Sequence, residues 1–139
     1  MTTTTARPAA PTTTTLRYSS QTSNVLLVAF AGSAAYTVYV TVAGLPTAGF
    51  SATDPISWVF YAIGFGLAFA VRTDRTAAWW AAAALLPVLL AICVLVYPAS
   101  FVPQLQTTVG WLENDGYTGL LMLALYLTVQ RLRRATLAA

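Results

Sequence analysis

The sequence predicts an all-α, polytopic membrane protein with four transmembrane helices in a small bundle. Three observations lead to this prediction: the composition, four apolar segments and the placement of the arginines. Hydrophobic residues make up 58% of the 139-residue chain and charged residues only 8%, whereas a soluble domain carries about 25% charged residues. So little charge could not cover a surface that faces water, and lipid is the solvent that suits this composition.

A polar tail precedes the first apolar segment. Residues 1–23 are mostly Thr, Ala, Pro and Ser with two arginines. Such a stretch has little apolar surface to bury in return for its loss of chain entropy. We therefore expect a disordered N-terminal tail over 1–23, followed by a transmembrane domain over 24–134 and a short C-terminal tail over 135–139.

Four apolar segments, at 24–43, 55–71, 77–97 and 116–130, predict the transmembrane helices. A helix needs about 20 residues to cross a hydrocarbon core of about 30 Å. The fourth segment is short, because only fifteen residues separate Asp115 from Arg131, or roughly 22 Å of helix. We expect Arg131 to extend its charged end toward the headgroups, and the helix to begin near Trp111 with the nearby carboxylates at the membrane boundary.

The positive charges predict the orientation. All seven are arginines, placed before the first segment, between the second and third, and after the fourth: Arg7, Arg17, Arg72, Arg75, Arg131, Arg133 and Arg134. The other two connections contain acidic residues and no Lys or Arg. The positive-inside rule therefore predicts a multi-pass protein of the cell membrane with both termini in the cytoplasm.

Small residues predict where the helices meet. On the first helix, small side chains recur every four residues, at Ala29, Ser33, Thr37 and Thr41, and the second helix has a GxxxA pair at Gly64 and Ala68. Both patterns favour close helix packing in lipid. An alternative for the hydroxyl-bearing residues is a polar path or pocket. Pro87 lies in the third helix and predicts a kink, with the space beside it filled by a neighbour or open to a ligand.

Two of the four acidic residues, Glu113 and Asp115, come just before the fourth segment. They favour either of two interpretations. In the first, they cap the N-terminus of the fourth helix and stay in water. In the second, they form an acid–base or cation-binding pair. Four aromatic residues would then line the pocket and stabilise a cation through their π faces: Trp58, Tyr61, Trp111 and Tyr117.

Missing residue types disfavour several classes of protein. The chain has no His, no Lys and a single cysteine, Cys93. This disfavours haem or zinc ligation, Schiff-base chemistry and a disulfide or redox pair. We expect no cofactor and no metal site. No basic patch interleaved with aromatic residues indicates a nucleic-acid partner. No acidic residue falls inside a predicted span, which weighs against an ion pathway.

Two functional hypotheses remain open. The first is an accessory subunit or helix-packing scaffold without catalytic activity. Its partners would be membrane lipid and either another membrane protein or further copies of the chain. The second is a small integral membrane enzyme or carrier for a lipid or isoprenoid, with Glu113 and Asp115 as acid–base or cation-binding groups.

Overall fold

A computed structural model describes residues 13–46, 50–96 and 107–137. The described residues form four α-helices: α1 (Thr13–Val42), α2 (Pro55–Arg72), α3 (Thr76–Ala91) and α4 (Thr108–Leu137). A π-helical turn, Ile92–Val96, extends α3. These ranges contain no β-strand, so the all-α prediction is confirmed.

Three helices are long and apolar enough to cross a membrane. They comprise Arg17–Val42, Pro55–Arg72 and Thr76–Leu95. The prediction that the first three apolar segments form helices long and apolar enough to cross a membrane is confirmed. Helix α4 has 30 residues but is not among the three, because acidic residues near its start and arginines near its end shorten its apolar stretch. The length and composition of α4 alone therefore do not show a fourth membrane span.

Helix α1 begins well before the predicted span. Residues 13–23, which we expected to be disordered, belong to α1, and residues 1–12 lie outside the described part of the chain. Tertiary packing explains the difference. Ser19, Thr22 and Ser23 are buried, and the guanidinium of Arg134 lies 5.0 Å from the centre of the Tyr18 ring. Contacts with the rest of the molecule thus stabilise a segment whose composition alone would not form a helix.

Helix α4 also begins early. Thr107 is its N-cap, since the Thr107 hydroxyl accepts a hydrogen bond of 3.1 Å from the backbone N–H of Gly110. Glu113 and Asp115 therefore lie inside α4, beyond its first turn, and do not cap it. Most of the connection between α3 and α4, residues 97–106, lies outside the described residues.

The helices pack side by side, with neighbours antiparallel. Helix α1 packs extensively on α2 and α4, and α3 packs mainly on α4. The core centres on Phe30, which is almost fully buried. Its ring contacts those of Phe60, Phe65 and Tyr117 at centroid distances of 6.0, 6.3 and 5.9 Å. Gly64 faces this ring, because any larger side chain there would collide with it.

The arginines that the structure describes lie at one end of the molecule. Arg131 near the end of α4 forms an ion pair with Asp74, in the turn between α2 and α3, with an N–O distance of 3.2 Å. Arg134 lies over Tyr18 near the start of α1. The start of α1, the turn at 73–75 and the end of α4 therefore share one end, as the positive-inside argument requires.

The opposite end is closed by hydrogen bonds. Gly44, at φ 65°, ends α1 in the left-handed conformation that favours glycine. Asp54 caps α2 by accepting a 3.0 Å hydrogen bond from the N–H of Ile56. The Thr41 hydroxyl accepts a 2.9 Å hydrogen bond from the N–H of Ala52. The last of these bonds joins the connection between α1 and α2 to the end of α1.

Candidate functional site

A cavity of about 220 Å³ lies between α1 and α4. It is partly open, and four of the residues around it are exposed: Val28, Gly32, Leu112 and Gly116. The rest of its lining is Ala29, Ser33, Glu113, Tyr117 and Leu120. The walls are thus mostly apolar, with three polar side chains, one acidic and two with hydroxyls.

Glu113 is the acidic residue of this cavity. It is half-buried and lines the cavity together with Ser33 of α1. Ser33 is nine residues from the end of α1 at Val42, which is roughly 13 Å along the helix. Glu113 therefore lies well along the apolar length of α1. It lies inside helix α4 but outside the predicted span at 116–130.

Tyr117 lies one helical turn after Glu113, on the same face of α4. It is 9% exposed. Its hydroxyl is buried and has no hydrogen-bond partner among the described residues. A buried polar group left unpaired costs about 1–3 kcal/mol. Because the hydroxyl oxygen is inaccessible, it lies behind the cavity wall, and the rest of the Tyr117 side chain forms part of that wall.

Asp115 lies elsewhere. Residues two apart on a helix do not face each other, and Asp115 is exposed and outside the cavity lining. The two acidic residues therefore do not form the expected acid–base pair, since Glu113 alone reaches the cavity.

Of the four aromatic residues expected around the site, Tyr117 lines the cavity and the others do not. Tyr61 is buried between α1 and α2, with its hydroxyl 2.6 Å from that of Thr37. Trp58 is exposed, and its ring N–H donates a 2.9 Å hydrogen bond to the carbonyl of Ala52. Trp111 is half-buried.

The Tyr61 hydroxyl connects the cavity to α2. It donates a 3.1 Å hydrogen bond to the backbone carbonyl of Ser33 and lies 3.4 Å from the Ser33 hydroxyl. Ser33 also lines the cavity. A chain of polar groups thus runs from Thr37 through Tyr61 to Ser33 at the cavity.

The residues expected at helix contacts lie on faces that pack inside the molecule, with Ala29 and Ser33 toward the cavity between α1 and α4. Ala29, Thr37, Gly64 and Ala68 are buried. Thr41 is half-buried and donates a 2.8 Å hydrogen bond to the carbonyl of Thr37. These faces contact other helices of the same chain.

Pro87 does not shape this cavity. It is exposed on α3, and the α-helix continues through it to Ala91 before the π-helical turn. No residue of α3 lines the cavity.

Sequence reasoning missed five residues of the cavity lining: Val28, Leu112, Leu120 and the two glycines, Gly32 and Gly116. A Cβ at either position would meet no atom within 4 Å, and this space is part of the cavity. The four-residue spacing of Glu113 and Tyr117 is a signal that could have grouped these two residues in the sequence, because it places them on one face of a helix.

In the described ranges, no three His, Cys, Asp or Glu side chains lie close enough together to hold a metal ion. Comparison with known proteins found no matching family, no similar curated protein and no similar solved structure. The case for a function therefore rests on the cavity itself.

Proposed function

We propose that this protein crosses the cell membrane four times, with both termini in the cytoplasm, and binds a lipid-soluble small molecule between α1 and α4. It would act as a carrier or receptor for that molecule. One observation carries the proposal: the carboxyl-bearing side chain of Glu113 lies in a mostly apolar cavity that is open along the sides of two long helices.

The packing of α4 supports a fourth span. It runs beside α1 from the cavity that Ser33 and Glu113 line to the Tyr18–Arg134 contact, and α1 is one of the three apolar helices that suit a membrane. A helix packed along a membrane span shares its depth in the bilayer. The arginines at the common end then favour a cytoplasmic location for both termini.

The arrangement favours binding over catalysis. An acid–base mechanism needs two groups positioned around one substrate, and Asp115 points away from the cavity that Glu113 lines. The carboxyl group of Glu113, with the Ser33 side chain beside it, can hold a polar headgroup. The apolar walls suit the beginning of a hydrocarbon tail.

The accessory-subunit hypothesis has less support. The small-residue faces that predicted a partner helix pack within the chain, as Gly64 does against Phe30. A partner would have to pack on the outer surface instead, where Gly66 and Gly119 have open space beside them.

The proposal is tested by filling the cavity. Gly116→Leu places a side chain in the cavity, while Gly119→Leu, on the same helix, is a matched control outside it. Both proteins are extracted in polymer-bounded discs of native membrane, and the small molecules that copurify are identified by mass spectrometry.

We expect a lipid-soluble molecule at about one per chain with the wild type and with Gly119→Leu, and its loss with Gly116→Leu. An equal amount with all three proteins, or none with the wild type, would contradict a ligand in this cavity.

A further inference from the structure

We infer that the end of the molecule that carries the arginines binds anionic phospholipids of the cytoplasmic leaflet. The surface concerned, which we call the arginine surface, consists of five exposed residues: Arg17, Arg72, Arg75, Arg133 and Arg134. This inference goes beyond the proposed function. It concerns a different part of the molecule and shares with that function the membrane location, not the cavity or its ligand.

Two contacts bring the arginines together from three stretches of the chain. The guanidinium of Arg134, near the end of α4, lies 5.0 Å from the centre of the Tyr18 ring, and Arg17 is the neighbour of Tyr18 in α1. Arg131, one turn earlier on α4, pairs with Asp74 at 3.2 Å, in the turn whose two flanking arginines belong to the surface. The end of α4 therefore lies between the arginines of α1 and those of the turn.

The charge of this end is not balanced by the protein itself. Asp74 is the acidic residue located here, and Arg131 already occupies it. The other acidic residues of the chain lie toward the opposite end: Asp54, Glu113 and Asp115. Within the described ranges, no carboxylate forms an ion pair with the arginine surface. Its guanidinium groups are therefore available to an external anion.

The depth of the arginines favours a lipid over a soluble anion. Arg17 and Arg72 are the terminal residues of two apolar spans, Arg17–Val42 and Pro55–Arg72. Arg75 directly precedes the third, Thr76–Leu95. The boundary of an apolar span lies at the level of the headgroups, where the phosphate groups of the lipids are located.

The choice of residue type indicates phosphate. The positive-inside rule is satisfied by Lys as well as by Arg, yet every basic residue of this chain is an arginine. The planar guanidinium group donates two parallel hydrogen bonds to one phosphate, which an ammonium group does not. An anionic lipid also keeps its net charge for the arginines, whereas the ammonium group of a zwitterionic lipid offsets its own phosphate.

The test compares two short-chain lipids that share acyl chains and a phosphate group and differ in net charge, dioctanoyl phosphatidylglycerol and dioctanoyl phosphatidylcholine. Binding to delipidated protein in maltoside micelles is measured by native mass spectrometry at increasing lipid concentration. We expect the wild type to bind phosphatidylglycerol at least about tenfold more tightly, because each arginine near an anionic headgroup contributes about fivefold.

Two double variants remove separate parts of the arginine surface. Arg72→Gln with Arg75→Gln, and Arg17→Gln with Arg133→Gln, should each reduce the preference for phosphatidylglycerol about fivefold or more. The use of two variants guards against a failure of either one to fold. An unchanged preference in both would overturn the inference.

The control changes the net charge by the same amount at the other end. Thr53→Glu with Thr108→Glu places two carboxylates at exposed positions there and should keep the preference. An equal loss in this control would overturn the inference, as would equal binding of the two lipids by the wild type. Displacement of the lipid by an equal concentration of inorganic phosphate would also overturn it, since the surface would then bind a soluble anion. None of these outcomes affects the comparison of Gly116→Leu with Gly119→Leu, so the proposed function is tested separately.

Discussion

Arg131 and Asp74 are 57 residues apart in the sequence and form a two-bonded ion pair in the structure. The Nε and Nη2 atoms of Arg131 each donate a hydrogen bond of 3.2 Å to the Asp74 carboxylate. The ring N–H of Trp79 donates a third, of 2.8 Å. Both charged side chains are more than four-fifths buried. This pair fastens the end of α4 to the turn between α2 and α3.

Loss of this pair should lower stability. Arg131→Gln leaves the Asp74 carboxylate mostly buried with Trp79 as its remaining partner, at a cost of about 1–3 kcal/mol. The measurement is thermal unfolding in detergent micelles. Arg133→Gln is the control, because Arg133 is exposed. Asp74→Asn combined with Arg131→Gln should recover part of the loss, since Asn also tolerates the φ of 54° at this position. Equal unfolding midpoints for both arginine variants would contradict a stabilising pair.

Gly64 and Gly66 should respond in opposite ways to the same substitution. A Cβ at Gly64 would fall inside van der Waals contact of the Phe30 ring, whereas one at Gly66 would have no neighbour within 4 Å. Gly64→Ala should therefore destabilise the protein by about 1–3 kcal/mol. Gly66→Ala should stabilise α2 by up to about 1 kcal/mol through helix propensity. Unfolding of the two variants side by side tests this, and similar effects at both positions would mean that Phe30 moves aside.

Two tyrosines offer a matched comparison of a paired and an unpaired hydroxyl. Tyr61→Phe removes the hydrogen bonds to Thr37 and Ser33 and should cost about 1 kcal/mol. Tyr117→Phe removes a hydroxyl that has no partner among the described residues, so ligand-free protein should be equally or more stable. The measurement is the unfolding midpoint of delipidated protein. A large loss in Tyr117→Phe would show that its hydroxyl is paired in the free protein.

The orientation can be tested with single cysteines. Cys93 is the only cysteine and is buried, so Cys93→Ser gives a background without thiols. Thr53 and Thr73 are exposed at opposite ends of α2. In intact cells, a membrane-impermeant maleimide should label Thr53→Cys. Thr73→Cys should be labelled only after the membrane is permeabilised. The reverse pattern would invert the topology.

The number of helices and the shared end of the arginines could be predicted from the sequence, because both follow from composition along the chain. The starts of α1 and α4 could not. Ser19 and Thr22 are polar, and their burial depends on neighbours distant in the sequence. The ion pair between Asp74 and Arg131 could not be predicted either, because no periodic sequence pattern connects two residues so far apart.

Sequence reasoning named two residues that line the cavity, Glu113 and Tyr117. It grouped Asp115 with Glu113 because the two are close in the sequence, but on a helix they face different sides. The cavity places Glu113 beside Ser33 of α1, and a contact between helices so distant in the sequence leaves no local pattern in it.

The position of Ser33 links the cavity to a second interface. Its backbone carbonyl accepts a 3.1 Å hydrogen bond from the Tyr61 hydroxyl on α2, and Ser33 lines the cavity between α1 and α4. A displacement of α1 at this residue would therefore change its contacts with both neighbouring helices at once.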